Sequence, residues 1–288
     1  MSSTLIQQAT NIFKLRIGVT ITLAALGGLA ITPGPAPSLA QTIALTLAVL
    51  LASASAGGFN QYFERDLDAR MSRTHGRPFV TGEHFLPLGY WPIVLSLILA
   101  GAVAMAAVVL NAAVALHVLL GALVYSAVYT VWLKRRSWTN IVIGGLAGSF
   151  AVLAGAAAVD PVPSAQPLLL ALVLFLWTPS HFWSLAIALH RQYADAGIPM
   201  LPVVVGNRAA AMATLLNSVA LVAVSLLPVM YGMGWIYLTG ALVGGAYFLV
   251  KNLQLVRDPS PGVAMANFHG SLIQLSLLLL ATMVEGIL

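Results

Sequence analysis

Long hydrophobic runs alternate with short polar segments along nearly the whole chain. A membrane-spanning α-helix needs about 20 consecutive apolar residues, and runs of that kind recur from one end of the sequence to the other. The predicted helices lie at residues 16–32, 38–58, 88–109, 112–133, 138–159, 167–189, 209–231, 233–250 and 267–287. The pattern therefore predicts an all-α membrane bundle of nine transmembrane helices, with residues 1–288 forming a single domain.

The composition fits a membrane protein and narrows its chemistry. Of the 288 residues, 60% are hydrophobic and only 7% are charged, whereas a soluble domain has about 25% charged residues. The absence of cysteine excludes disulfides, thiolate metal sites and cysteine nucleophiles. The formal charge is +5, but no basic patch with interleaved aromatic residues is present, so we expect no nucleic-acid partner.

The basic residues predict how the bundle is oriented. If the N-terminus is cytoplasmic, all 13 Lys and Arg residues fall in inside segments and none in the outside turns. These residues are Lys14, Arg16, Arg65, Arg70, Arg73, Arg77, Lys134, Arg135, Arg136, Arg191, Arg208, Lys251 and Arg257. Under the positive-inside rule, this distribution places the N-terminus in the cytoplasm and the C-terminus outside.

A charged segment at residues 57–82 interrupts the hydrophobic pattern after the second predicted helix. Within it, Asn60, Glu64 and Asp68 recur every four residues, which lines them along one helix face over about 12 Å. Two carboxylates and an amide suit Mg²⁺, which prefers oxygen ligands and commonly shares its shell with phosphates. The nearby arginines then suit the same phosphates. The alternative is a solvated loop whose acids pair with its own arginines.

A second polar segment lies at residues 177–207. His181 lies inside the hydrophobic span, where a histidine is either a satisfied buried side chain or a contact to a carboxylate or to iron. Arg191 and Asp195 stand four residues apart and form either a helix ion pair or part of a site. Because this segment comes after the sixth helix, we expect it to face the first segment at the cytoplasmic end of the bundle.

Three cations, Lys134, Arg135 and Arg136, end the fourth predicted helix. They act either as topology determinants or as a second group that binds phosphate, and both roles require the same side of the membrane. Phe59, Tyr62, Trp177 and Phe182 are the aromatic candidates for the lining of an apolar cavity that excludes water.

Four stretches carry a family resemblance. NQYFERDLDARMSRTHGRPFVTG resembles the first aspartate-rich motif of the UbiA-type intramembrane prenyltransferases, in the form found in the members that farnesylate haem. YTVWLKRRSWTNIVIGG, SHFWSLAIALHRQYADAGIPMLPVVVG and KLRIG are similar to the same enzymes. The resemblance implies a multi-pass enzyme of the bacterial cytoplasmic (inner) membrane, surrounded by membrane lipid. It further implies Mg²⁺-assisted farnesyl transfer from farnesyl diphosphate to the 2-vinyl group of haem B, with a haem A synthase or oxidase assembly factors as partners.

The resemblance also assigns roles to residues. It implies that Asn60, Glu64 and Asp68 are catalytic metal ligands, and we add Asp195, the only acid in the second segment. The family usually has an acid where Gln192 stands, three residues earlier. The residues expected to bind diphosphate are Arg65, Arg73, Arg77, Lys134, Arg135 and Arg191, and the candidate for haem contact is His181.

Three other functions remain compatible with parts of the sequence. A family member could prenylate a quinone precursor or a chlorin instead of haem. A non-catalytic oxidase assembly protein could retain the fold, because the second motif is altered. A transporter would need ionisable residues deep within the spans, whereas here they cluster at the inner ends.

Overall fold

A computed structural model describes residues 4–287, and these residues form helices joined by turns, without any β-strand. The α-helices are α1 Leu5–Ile12, α2 Leu15–Ile31, α3 Leu39–Phe63, α4 Arg65–Asp68, α5 Pro78–Thr81, α6 Trp91–Val109, α7 Ala112–Leu123, α8 Asn140–Gly144, α9 Leu146–Ala157, α10 Ala165–Ala188, α11 His190–Asp195, α12 Leu201–Val205, α13 Asn207–Leu226, α14 Trp235–Arg257 and α15 Pro261–Glu285. A π-helix, Val124–Leu133, continues α7, and 3-10 turns lie at Leu88–Tyr90 and Leu227–Tyr231.

The described helices confirm the predicted all-α membrane bundle. Eight of them, some with their short continuations, are long and apolar enough to cross a membrane, and α1 with α2 forms a ninth span if the bent pair counts as one. The bend between α1 and α2 is 51°. It lies at Lys14, whose φ of 47° is the only positive φ of a non-glycine residue within residues 4–287.

Several helices begin or end at residues other than the predicted ones. Helix α3 runs to Phe63, five residues beyond the predicted end at 58, and therefore carries Asn60 inside the helix. Helix α15 begins at Pro261, not at 267, because Pro is tolerated in the first turn of a helix. The fifth predicted span is divided into α8 and α9 next to Gly145.

Orientation across the membrane leads to a direct test, which the absence of cysteine in the wild type simplifies. We expect Ser72→Cys, at an exposed position between α4 and α5, to resist an impermeant thiol reagent in intact cells, because the distribution of Lys and Arg predicts that its segment is cytoplasmic. The matched control is Ala36→Cys, in the exposed turn between α2 and α3, which should be labelled. Labelling of Ser72→Cys from outside would reverse the predicted topology.

Helices α2 and α9 approach closely through glycine. A Cβ atom added at Gly155 would lie 1.7 Å from the Ala25 carbonyl oxygen, and one added at Gly28 would lie 2.0 Å from the Val152 carbonyl oxygen. Backbone oxygens cannot move aside as flexible side chains do. The two glycines therefore permit the contact, as small residues commonly do between membrane helices.

This contact predicts that Gly155→Ala destabilises the protein by about 1–3 kcal/mol or more, because α2 and α9 must separate to admit the methyl group. The measurement is thermal unfolding of the purified protein in detergent. The matched control is Gly101→Ala on α6, where no atom lies within 4 Å of the added Cβ. That control should be neutral or stabilising, since Ala is the better helix former, and an equal loss in both variants would refute the close-contact explanation.

Candidate functional site

The row of oxygen-bearing side chains survives a break in the helix. Helix α3 ends at Phe63 and Glu64 leaves ideal helix geometry at φ −95° and ψ 12°. The backbone nevertheless continues its helical bonds, from the Glu64 N–H to the Asn60 carbonyl at 2.9 Å and from the Asp68 N–H to the Glu64 carbonyl at 2.8 Å. Asn60, Glu64 and Asp68 are 2%, 0% and 3% exposed, so the row is buried.

Each member of this row contacts a cation. Lys14 Nζ donates to Asn60 Oδ1 at 2.5 Å, and Lys134 forms an ion pair with Glu64. Arg77 donates from Nη1 to both carboxylate oxygens of Asp68, at 2.8 and 2.7 Å. The alternative of a loop whose acids pair with its own arginines therefore holds only for Asp68. Asn60 and Glu64 instead bond to Lys14 and Lys134, which come from distant parts of the chain. We call these six side chains the head cluster: Lys14, Asn60, Glu64, Asp68, Arg77 and Lys134.

The π-helix after α7 helps to place the head cluster. Its wider turns are formed by bonds between residues five apart, such as the Lys134 N–H to the Tyr129 carbonyl at 2.9 Å. Thr130 Oγ1 donates to the Tyr125 carbonyl at 2.8 Å and accepts from Asn60 Nδ2 at 3.0 Å. Long π segments are rare and are found at functional sites, and this one joins the fourth span to the row on α3.

An apolar cleft opens beside the head cluster, and its empty space, including the part open to solvent, is about 620 Å³. Lys14 and Tyr125 line its polar end, where Lys14 Nζ donates to the Tyr125 hydroxyl at 3.3 Å. Small and aliphatic residues of α2, α3, α7 and α9 line most of the rest, together with the polar side chains of Ser53 and His117. The expected aromatic lining is wrong, because Phe59, Tyr62, Trp177 and Phe182 all lie outside this cleft.

From the sequence, Lys14 is predicted only as a topology determinant, and no pattern predicts a role for Tyr125 or Thr130. Lys14 is drawn inward because its left-handed backbone conformation turns the side chain across the bend between α1 and α2, and no sequence pattern announces such a bend. The KLRIG similarity at residues 14–18 was the one available signal.

Other predicted diphosphate ligands lie around the head cluster. Arg135 donates to both carboxylate oxygens of Asp66, at 3.0 and 2.8 Å, and this donation lowers the pKa of Asp66 from its ordinary value. Arg65 donates to the Tyr62 carbonyl at 2.7 Å. Arg73 is exposed and forms no ion pair within residues 4–287. These three arginines are exposed, and none of them forms an ion pair with the buried row within the described residues.

The second polar segment places its residues unevenly. Asp195 is exposed at the end of α11, and no ion pair joins it to Arg191, which is also exposed. Gln192 is half-buried, and its Oε1 accepts no hydrogen bond within the described chain. Arg191 and Gln192 line a separate recess with Asn207. The metal role of Asp195 stays a prediction.

His181 lies in a closed aromatic stack. The residue is 6% exposed, and its ring stacks between the rings of Trp177 and Phe268, with a centroid distance of 4.2 Å to each. Its Nδ1 forms a hydrogen bond with the Ser271 hydroxyl at 2.7 Å. It lines neither the apolar cleft nor the recess at Arg191. The arrangement favours a satisfied structural histidine, and the haem-contact role stays a prediction.

The head cluster provides oxygen ligands of the kind that Mg²⁺ takes. Glu64 Oε1 is buried and has no hydrogen-bond partner within the described residues, which leaves it available to a cation, and oxygens of Asn60 and Asp68 lie on the same row. Residues 4–287 contain no group of three or more His, Asp or Glu side chains placed for a metal. The oxygens of Asn60, Glu64 and Asp68 are too few to fill a coordination shell by themselves. They fit a hard ion that takes the rest of its shell from substrate or water.

Comparison with known proteins gives consistent results. The sequence profile of the UbiA prenyltransferase family matches residues 21–278. Protoheme IX farnesyltransferase 2 of Paramagnetospirillum magneticum is 57% identical over 278 residues, covering 96% of each chain. Protoheme IX farnesyltransferase 1 of the same organism is 49% identical over 280 residues, covering 97% of this chain and 98% of the relative.

Solved structures share the fold at low sequence identity. A digeranylgeranylglyceryl phosphate synthase superposes with a TM-score of 0.81 at 17% identity, over 98% of both chains. A UbiA homologue from Archaeoglobus fulgidus bound to DMAPP and Mg²⁺ superposes with a TM-score of 0.71 at 16% identity, over 96% of this chain and 99% of the other.

Proposed function

This chain belongs to the UbiA prenyltransferase family, and on that premise we propose that it transfers the farnesyl group of farnesyl diphosphate to the 2-vinyl group of haem B, giving haem O. The observation that carries the proposal is the full-length similarity to two protoheme IX farnesyltransferases, at 57% and 49% identity. The cleft supports it, because an apolar channel joins a cationic head cluster in the arrangement that a prenyl diphosphate requires. No feature of the described residues favours a quinone precursor or a chlorin as acceptor.

The head cluster binds and stabilises the leaving group. In the transfer, the bond between farnesyl C1 and oxygen breaks, and its electron pair leaves on the diphosphate. Lys14 lines the polar end of the cleft, and Arg77 and Lys134 pair with Asp68 and Glu64 on the neighbouring row. These three cations stabilise that charge by preorganised hydrogen bonding, which is commonly the largest catalytic contribution. Asn60, Glu64 and Asp68 would hold Mg²⁺, and the bound ion would neutralise diphosphate charge.

The cleft protects the allylic cation from water. Its walls are mostly apolar, with Lys14 and Tyr125 at one end and Ser53 and His117 as the other polar lining side chains, so premature hydration is suppressed. The rings of Tyr125 and Tyr129 stack next to the head cluster, with a centroid distance of 5.5 Å. Their aromatic faces stabilise positive charge nearby. The vinyl terminal carbon then bonds to farnesyl C1, and the resulting cation on the porphyrin side takes up water and loses a proton to give the hydroxyl group.

We place the enzyme in the bacterial cytoplasmic (inner) membrane, with the head cluster at the cytoplasmic end. Farnesyl diphosphate reaches that end from the cytoplasm, and haem B enters from lipid or from a carrier. A haem A synthase or oxidase assembly factors are the proposed partners that take up the product. The test is purified protein with haem B, farnesyl diphosphate and Mg²⁺, where mass spectrometry should detect hydroxyethylfarnesyl haem, and unchanged haem B would refute the proposal.

The second metal ligand is tested by Mg²⁺ dependence. If Asp195 is a ligand, Asp195→Asn raises the apparent Mg²⁺ requirement about tenfold or more, equivalent to about 1.4 kcal/mol. The half-buried Gln192 beside it supplies the comparison variant, Gln192→Ala. An unchanged Mg²⁺ requirement in Asp195→Asn, together with a lost response in Gln192→Ala, assigns the position to Gln192 and ends the proposal for Asp195.

A further inference from the structure

His117 lies at the far end of the apolar cleft. On α7 and the π-helix that continues it, the lining residues run from Tyr125 at the polar end to His117, eight residues away. At about 1.5 Å per residue, this separation corresponds to about 12 Å along the helix. On α2, α3 and α9, the lining residues farthest from the polar end are Ile21, Val49 and Ala154. Among the described lining residues, His117 is therefore the only polar side chain at this end.

The imidazole ring of His117 is held in place. Its Nδ1 donates to the Ala113 carbonyl, one turn earlier on the same helix, at 2.7 Å. The centroid of its ring lies 6.0 Å from the centroid of the Phe150 ring on α9. A ring fixed by a hydrogen bond and an aromatic neighbour forms a firm end to the cleft, whereas a flexible side chain would move away from a longer ligand.

The depth of the cleft matches the length of a prenyl chain. Each five-carbon unit places four carbon–carbon bonds along the chain and spans about 5 Å when extended. With its diphosphate at the head cluster, the third unit of a farnesyl chain therefore reaches the level of His117, and a fourth unit meets the ring. We propose that His117 sets the prenyl chain length by closing the cleft behind the third unit, an inference that rests on the proposed prenyl transfer.

The test is a competition between farnesyl and geranylgeranyl diphosphates at equal concentration, with haem B and Mg²⁺, read as the ratio of C20 to C15 haem products. His117→Ala should raise this ratio about tenfold or more, because a hydrophobic pocket discriminates about 10–200-fold per methylene once its size is fixed. His117→Leu restores bulk without polarity and should keep the wild-type ratio. His269→Ala, on an exposed position of α15 outside the cleft, is the matched histidine control.

Loss of turnover in His117→Ala would leave a second measurement, the rise in unfolding temperature caused by each diphosphate, which needs binding but no chemistry. We expect geranylgeranyl diphosphate to become the stronger stabiliser in the variant. The role of His117 would be overturned if the variant kept a C20 to C15 product ratio within about twofold of wild type and farnesyl diphosphate remained the stronger stabiliser. Absence of any prenylated haem from the wild type would instead refute the proposed function, and the binding measurement would still decide the role of His117.

Discussion

Glu64→Gln and Asp68→Ala will each lower farnesyl transfer by at least about 100-fold, the range found when one preorganised electrostatic group is removed. Glu64 is fully buried, pairs with Lys134 and keeps its Oε1 without a partner in the described chain. Glutamine preserves the shape but removes the charge that a metal ion and Lys134 require. The measurement is initial rate of haem farnesylation at saturating substrate.

A loss of folding must be separated from a loss of catalysis. Removing one partner of a buried ion pair costs about 3–5 kcal/mol, whereas replacing both partners by neutral groups is commonly tolerated. The double variant Glu64→Gln, Lys134→Met should therefore unfold near the wild-type temperature and remain inactive. Asp66→Asn is the matched acid control, because Asp66 pairs with Arg135 at the exposed surface, where a pair contributes about 0–1 kcal/mol. Activity of Glu64→Gln or Asp68→Ala within about threefold of wild type would remove both residues from the catalytic site.

Lys14→Met will lower turnover by about 100-fold or more, since it removes a preorganised cation from the leaving group. Lys14 is the residue that joins the head cluster to the cleft, through its bonds to Asn60 and Tyr125. Methionine keeps most of the length and packing of the side chain while removing the charge. The measurement is single-turnover farnesyl transfer, which reports the chemical step without product release.

The matched control for Lys14 is Arg16→Gln, two residues farther along the chain in the first turn of α2, where the side chain is exposed. It removes the same formal charge from the same segment and should retain turnover within about twofold of wild type. Equal losses in Lys14→Met and Arg16→Gln would show that overall positive charge, and not the position of Lys14, is responsible.

Periodicity and charge along the chain were sufficient to predict the bundle, its two polar segments and the row of Asn60, Glu64 and Asp68. Apolar length predicts the spans, and a spacing of four residues predicts the row. The cations that meet this row were only partly predicted, because their positions depend on two departures from regular α-helix. One is the bend at Lys14, and the other is the π-helix over Val124–Leu133 that leads to Lys134.

The remaining differences come from tertiary packing. Trp177 and Phe182 have the aromatic character expected of a cavity wall, but Trp177 is buried in the core and both rings lie near His181. The cleft is formed where α2, α3, α7 and α9 present small residues to one another, such as Ala52, Gly121 and Ala151. A cavity made by the absence of large side chains has no distinct sequence signature, so it could be found only from the structure.

The central claim, farnesyl transfer to haem with subsequent hydration, is tested most directly by a competition in water labelled with ¹⁸O. The purified protein receives haem B together with an aromatic quinone precursor, one supply of farnesyl diphosphate, and Mg²⁺. We predict a farnesylated haem that carries one ¹⁸O in its new hydroxyl group, and an unchanged quinone precursor. Farnesyl found on the quinone precursor, or recovery of both acceptors without a prenyl group, would contradict the account.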